Sequence, residues 1–212
     1  MNVPPVGRIW VVLGGFLPSP GATLPEGTVP RLIPKMVLPS SVSGDGGRIV
    51  SPADLDDGVA VEGELALVIG QELHRPASVE EAAAAVAGYT CFNDATAVRL
   101  LAEREWALSK SLDSFASIGP SLTSDLDDKT IMAGLAITTR VNGEERQRGD
   151  TGLYKFPPSQ VVRYLATYVT LRPGDVISLG TPPPPAPVVP GDRVEIEVEG
   201  VGVLHNEIVG TA

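Results

Sequence analysis

Two glutamates in the stretch "VEGELALVIG" are spaced so that they can act together. Glu62 and Glu64 stand two positions apart, and five apolar residues follow them. Side chains at positions i and i+2 of a strand project from the same face. Two carboxylates held this close repel each other unless a proton or a cation lies between them. The spacing alone leaves two interpretations: a cation site, or a strand end where Glu62 meets solvent and Glu64 pairs with an arginine.

Buried strands and helices are predicted around this pair. The glycine-bounded apolar runs "RIWVVLGG" and "GELALVIG" are typical of strands, and the second is predicted to be buried on both faces. Ser78 and Glu81 have capping-box spacing in "ASVEEAAAAVAGY", which predicts a helix that stops at Gly88. We interpret "YTCFND" as a strand and "ATAVRLLAEREWALSKS" as a second helix, because its apolar residues have helical spacing.

The C-terminal half is predicted to consist mostly of strands. Asn142 and Gly143 are typical of a two-residue hairpin turn within "LAITTRVNGEERQRG". A helix is predicted from about Gln160 to Val169. The stretch "RVEIEVEG" alternates apolar residues with glutamates, as a strand with one buried face does. Together these patterns predict an α+β fold that is mainly β, with about three helices.

The composition limits the kind of protein. The chain has 212 residues, 43% of them hydrophobic, which is enough for one sizeable core. Cys91 is the only cysteine, which favours a reducing, cytoplasmic location. A net charge of −10 argues against nucleic acid as a partner. No apolar run approaches the ~20 residues that span a bilayer, so no membrane partner is expected.

Six motifs follow one another along the chain: "EGELALVIG", "GYTCFND", "KSLDSFASIGP", "VNGEERQ", "LRPGDVISLGTP" and "PGDRVEIEVEGVGVLHN". In order and spacing they resemble the C-terminal catalytic domain of the fumarylacetoacetate hydrolase family, over roughly residues 50 to 210. The resemblance implies a mixed β-sandwich roll with a few short helices. It divides the chain into a divergent, proline- and glycine-rich strand and lid segment (residues 1–50) and a catalytic domain (residues 51–212), within one structural domain.

The same resemblance implies a metal site. In the family, the two strand glutamates and the aspartate of the N-D motif ligate a divalent cation, and these ligands correspond to Glu62, Glu64 and Asp94. Three hard oxygen ligands suit Mg²⁺ or Mn²⁺ and leave coordination positions for water or substrate. A cation among the carboxylates would make their close approach tolerable.

The resemblance further implies a small-molecule substrate, a 2-oxo acid or 1,3-dicarbonyl such as an acylpyruvate. Lys110 is expected to reach the substrate carboxylate or a developing oxyanion. The other residues expected to contact substrate are Gln147, Gly180 and Thr181. Family members are usually homodimers, so we expect a homodimer here.

The N-terminal segment departs from the family pattern. Family members often carry a histidine and a glutamate there as an acid/base pair, whereas "LGGFLPSPGATLPEG" has no histidine and only Glu26 as an acid. A family lysine that precedes a proline is replaced by Leu38. Hydrolysis needs a positioned base to activate water, whereas decarboxylation and enolisation can depend chiefly on the metal.

We therefore predict a lyase or isomerase, with decarboxylation or keto–enol isomerisation as the reaction and Glu26 as a candidate catalytic acid. Three alternatives stay open. The chain could hydrolyse a carbon–carbon bond, act on a larger and more apolar dicarbonyl, or be a degenerate family member with a binding role.

Overall fold

The structure, a computed structural model, describes residues 5–35, 40–55 and 58–211. Most of the regular structure is strand. The strands are β1 (Ile9–Val12), β2 (Leu32–Lys35), β3 (Val42–Gly44), β4 (Gly47–Ser51), β5 (Val59–Val61), β6 (Gly63–Ile69), β7 (Val86–Asp94), β8 (Thr96–Ala97), β9 (Ala116–Thr123), β10 (Ala136–Val141), β11 (Glu144–Asp150), β12 (Val176–Ser178), β13 (Ala186–Val188), β14 (Arg193–Val198) and β15 (Gly202–Gly210). The helices are α1 (Val79–Ala84), α2 (Val98–Ala102), α3 (Trp106–Ser109), α4 (Asp128–Ala133), α5 (Pro158–Tyr168) and a 3₁₀ turn (Thr151–Leu153).

Two large sheets form the body of the molecule. The first has seven strands in the order β2-β1-β12-β6-β7-β9-β3, and the second has five in the order β11-β10-β14-β15-β4. A small third sheet has the order β13-β5-β8. The predicted fold class, α+β and mainly β, is confirmed: the sheets curl, and the helices are short and few.

Strand β6 lies in the middle of the seven-stranded sheet, and all seven of its residues are buried. Leu65 and Leu67 belong to the main core, where β6 packs against β10 and β14 of the second sheet. Ala66 and Val68 belong to a smaller core formed by other strands of their own curled sheet. A strand between two cores has no face toward solvent, which explains the five consecutive apolar residues that follow Glu64.

Gly63 lets the start of β6 approach the second sheet closely. A Cβ atom added there would lie 2.2 Å from Thr139 Oγ1.

We expect Gly63→Ala to lower the free energy of unfolding by about 1–3 kcal/mol, because neither sheet can move without disturbing its own core. Urea unfolding would measure this change, and adding Thr139→Ala should restore part of it. Unchanged stability of the single variant would contradict the packing described here.

Two predicted helices differ from the observed ones. Helix α1 is capped by Ser78 as expected, but it ends at Ala84 and not near Gly88. The chain leaves the helix because Val86 already pairs with β6. The second predicted helix is divided into α2 and α3, because Arg104 between them has a φ of 67°, outside the helical region. The hairpin turn at Asn142 and Gly143 is observed, with positive φ at both residues.

The N-terminal segment is built into both sheets. Strand β1 pairs with β12 and β3 with β9 in the first sheet, and β4 pairs with β15 in the second. The division at residue 50 and the single structural domain both stay predictions. Among the described residues, no helix has the length and apolar character needed to cross a membrane.

Candidate functional site

Three buried carboxylates meet at one end of β6. Glu62 lies in the link between β5 and β6, Glu64 lies on β6, and Asp94 ends β7. The antiparallel pairing of β6 with β7 brings them together, and the Asp94 N–H donates to Glu62 O at 3.0 Å. One carboxylate oxygen of each residue lies within 4.8 Å of those of the other two. Their exposed fractions are only 8%, 1% and 0%, so these charges need compensation from nearby groups.

Lys110 supplies part of that compensation. Its Nζ donates to Asp94 Oδ2 at 2.5 Å, to Glu62 Oε2 at 3.2 Å and to Thr96 Oγ1 at 2.9 Å. Burial alone would lower the pKa of Lys110, but the neighbouring carboxylates raise it above its ordinary value. The side chain is therefore a buried ammonium group placed among the three carboxylates.

A second buried lysine, Lys35, belongs to the site and was not predicted from the sequence. It ends β2, and its Nζ donates to Asp94 Oδ1 at 2.6 Å and to Phe115 O at 2.7 Å. The family lysine that precedes a proline corresponds to Leu38, and Leu38 lies outside the described residues. The available signal was one charged residue within the apolar run "RLIPKMVLP". Burial lowers the pKa of Lys35, and the charge of Asp94 opposes this shift.

The carboxylates differ in their proton affinity. Burial, together with the charges of Asp94 and Glu62, raises the pKa of Glu64 to about 8. Burial also raises the pKa of Glu62, against the opposing charge of Lys110. Burial would raise the pKa of Asp94 too, but Lys110 and Lys35 hold it below its ordinary value. When all three carboxylates are ionised, they and the two ammonium groups leave one negative charge in excess, which a cation would balance.

The donor set fits a divalent metal. The two hydrogen bonds that Glu64 accepts from described residues, from Ser178 Oγ and from the Gly180 N–H at 2.9 Å, both end on Oε2. Neither uses Oε1. Oxygen-only ligands of this kind suit hard cations such as Mg²⁺ and Mn²⁺.

The cluster opens into a cavity of about 540 Å³. Glu62, Glu64 and Lys110 form its polar end, and Thr181 and Lys155 also line it. The other walls are largely apolar and come mostly from the N-terminal segment and the proline run near position 183. These apolar wall residues are Val11, Val12, Leu13, Phe16, Leu17, Pro18, Leu101, Trp106, Pro183 and Pro185.

Gln147 and Thr181 support the loop beside Glu64. Gln147 is 2% exposed, and its Nε2 donates to Thr181 Oγ1 at 2.9 Å and to Pro182 O at 2.5 Å. Its Oε1 accepts from the Gly63 N–H at 3.0 Å. Thr181 lines the cavity, whereas Gln147 lies behind that wall. Direct contact between Gln147 and a substrate stays a prediction.

Glu26, the acid proposed from the sequence, and both histidines of the chain lie outside the cavity. Glu26 is exposed in the loop between β1 and β2, and it is not among the lining residues. The chain has two histidines, His74 and His205, and both are exposed. His205 Nδ1 lies 3.1 Å from Asp45 Oδ1 at the surface. A catalytic role for Glu26 therefore stays a prediction that requires movement of its loop.

Cys91 does not contribute a nucleophile. It is fully buried, and burial raises the pKa of its thiol to about 12. Because the thiolate is the reactive form, we expect no reaction with a thiol reagent in the native protein at neutral pH. Complete reaction is expected after unfolding in guanidinium chloride. Absorbance measurement with a disulfide reagent would check this, and rapid labelling of the native protein would contradict it.

Comparison with known proteins identifies a matching family and several relatives. Residues 23–209 match a family model described as fumarylacetoacetate (FAA) hydrolase C-terminal. The chain is 38% identical over 173 residues to a 4-hydroxyphenylacetate degradation bifunctional isomerase/decarboxylase of Escherichia coli, covering 81% of this chain and 40% of that protein. It spans 66% and 62% of the length of two archaeal relatives to which it is 39% and 40% identical.

Two solved structures share the fold over nearly the whole chain. A 5-carboxymethyl-2-hydroxymuconate delta-isomerase from Mycobacterium smegmatis matches with a TM-score of 0.86 and 32% identity, covering 98% of this chain and 80% of that one. A fumarylpyruvate hydrolase from Pseudomonas aeruginosa, solved with Mn²⁺ and pyruvate, matches with a TM-score of 0.82 and 27% identity, covering 98% and 91%.

Proposed function

The chain belongs to the fumarylacetoacetate hydrolase family, and we propose that it is a divalent-metal-dependent enzyme acting on a small 2-oxo acid or 1,3-dicarbonyl. One observation carries this proposal. Glu62, Glu64 and Asp94 are buried together, and Glu62 and Glu64 face a cavity large enough for such a substrate.

Glu62, Glu64 and Asp94 would hold the cation, either Mg²⁺ or Mn²⁺. The P. aeruginosa relative was solved with Mn²⁺. A bound divalent cation would supply Lewis acidity to a chelated 2-oxo acid and stabilise negative charge on its oxygens. Lys110, which already donates to two of the carboxylates, would hold the substrate carboxylate or the developing oxyanion.

The cavity favours decarboxylation or keto–enol isomerisation over hydrolysis. Hydrolysis requires a base positioned to activate water. Among the described lining residues no histidine is found, and both acids, Glu62 and Glu64, belong to the cluster that would bind the cation. The apolar walls would also exclude water from the reacting bond. The E. coli relative, named as an isomerase/decarboxylase, supports the same choice.

Calorimetric titration of chelator-treated protein with Mg²⁺ and Mn²⁺, with and without oxalate, tests the proposal. Oxalate presents the two adjacent oxygens of a 2-oxo acid but has no reactive chain. We expect each metal to bind and oxalate to strengthen the binding, after which 2-oxo acids can be assayed for CO₂ release and enol formation. Absence of metal binding under both conditions would contradict the enzyme proposal and favour a binding role.

We also propose that the protein is a cytoplasmic homodimer, as the family resemblance and the single cysteine suggest. Sedimentation velocity at micromolar concentration would measure the mass. A monomer would contradict this part of the proposal without affecting the metal site.

A further inference from the structure

Lys155 lines the cavity but does not belong to the carboxylate cluster. It directly follows Tyr154, which forms a β-bridge with Phe16. Its backbone N–H donates to Gly15 O at 2.8 Å. Its ammonium lies beside Gly14, where an added Cβ would be 3.7 Å from Lys155 Nζ. The pairing of these two segments therefore holds the backbone of Lys155 beside the N-terminal segment, and its ammonium lies at the wall that this segment forms.

This ammonium has no partner among the described residues. No hydrogen bond or ion pair joins the Lys155 side chain to any residue in the described ranges. Lys35 and Lys110 differ in this respect, because each is paired with Asp94. Lys155 is partly buried, and most of the nearby cavity wall is apolar. A cation in such a wall gains a strong, charge-assisted hydrogen bond when an anion reaches it.

The net charge of the metal-loaded site indicates how many acidic groups a bound ligand carries. With a divalent cation present and all groups ionised, the three carboxylates, Lys35 and Lys110 together carry one positive charge. Lys155 adds a second. A ligand with one acidic group would leave one positive charge uncompensated in a largely apolar cavity, whereas a ligand with two would balance both.

We infer that Lys155 determines substrate specificity by binding an anionic group at the end of the substrate remote from the 2-oxo acid. The inference rests on the proposed function, which places the 2-oxo acid end at Glu62, Glu64 and Asp94. The substrate is then a 2-oxo acid with a second acidic group, and its apolar middle lies along walls such as those of Phe16 and Leu17.

Pairs of unreactive analogues that differ only at the far end test this inference. Binding of 2-oxoadipate and 2-oxohexanoate, which share a six-carbon chain, is measured by calorimetry on the Mn²⁺-loaded protein. The corresponding diacid and monoacid with seven carbons are measured in the same way. For at least one pair we expect the diacid to bind about tenfold more tightly, the contribution of one charge-assisted hydrogen bond at a partly exposed site. Lys155→Met should remove this preference, and Lys155→Arg should keep it.

Two controls separate Lys155 from the metal site. Lys129→Met removes an exposed lysine that does not line this cavity, and it should keep the preference for the diacid. Oxalate, which has no far end, should bind the wild type and Lys155→Met equally. Two results would overturn the role of Lys155 and leave the proposed function standing. One is equal binding of both members of both pairs to the wild type, and the other is a preference for the diacid that survives in Lys155→Met. Failure of oxalate to bind the wild type would overturn the proposed function and this inference with it.

Discussion

Glu64→Gln is expected to weaken the binding of Mn²⁺ by at least about a hundredfold, because it removes one of three charged ligands while keeping the side-chain shape. The amide oxygen can still accept the hydrogen bonds from Ser178 and the Gly180 N–H. The local structure should therefore persist. Calorimetric titration would measure the affinity, and turnover of any 2-oxo acid substrate should fall with it.

The same substitution should raise the melting temperature in the presence of a chelator. Burial and the charges of Asp94 and Glu62 raise the pKa of Glu64 to about 8, so its ionised form is disfavoured in the folded, metal-free protein. A neutral amide avoids this cost. Glu207→Gln, at an exposed acid in a loose surface pair with Arg48 at 3.9 Å, should change neither property. Unchanged metal affinity in Glu64→Gln would show that the carboxylate is not a ligand.

Lys110→Met is expected to destabilise the metal-free protein by about 3–5 kcal/mol, the usual cost of removing one partner from a buried ion pair. Without this ammonium, Lys35, which pairs with Asp94, would be the one buried cation left near Glu62 and Asp94 among the described residues. Added Mn²⁺ should stabilise the variant more than the wild type, since the metal supplies the missing positive charge. Turnover should still fall by roughly a hundredfold to a thousandfold, because the oxyanion loses a donor.

Urea unfolding with chelator and with Mn²⁺ would measure the four free energies that this prediction compares. Lys129→Met is the matched control, because it removes an exposed lysine on α4 that makes no ion pair with a described residue. If Lys110→Met were as stable as the wild type in chelator, Lys110 would not be the compensating charge for the cluster.

The glutamate pair could be recognised in the sequence because its signal is local. Glu62 and Glu64 stand at strand spacing before an apolar run, and the family motifs then point to Asp94 and Lys110. The structure brings these four side chains together. The hairpin at Asn142 and Gly143 was predictable for the same reason, since few residues other than asparagine and glycine adopt positive φ readily.

Other features depend on contacts between distant segments and could not be inferred from local pattern. Lys35 reaches Asp94 only because β2 lies at the edge of a curled sheet in which β7 is the fifth strand from that edge. The break between α2 and α3 depends on the backbone of Arg104, a residue with ordinary helical propensity. Gln147 belongs to a recognisable motif, but its place behind the cavity wall follows from its contacts with the loop at Pro182.

Anomalous diffraction from crystals grown with Mn²⁺ and oxalate would test the metal site most directly. The account predicts one strong peak within bonding distance of Glu62, Glu64 and Asp94, with oxalate completing the coordination and the Lys110 ammonium moved toward it. A cluster without a peak, with Lys110 still bound between Asp94 and Glu62, would contradict the account.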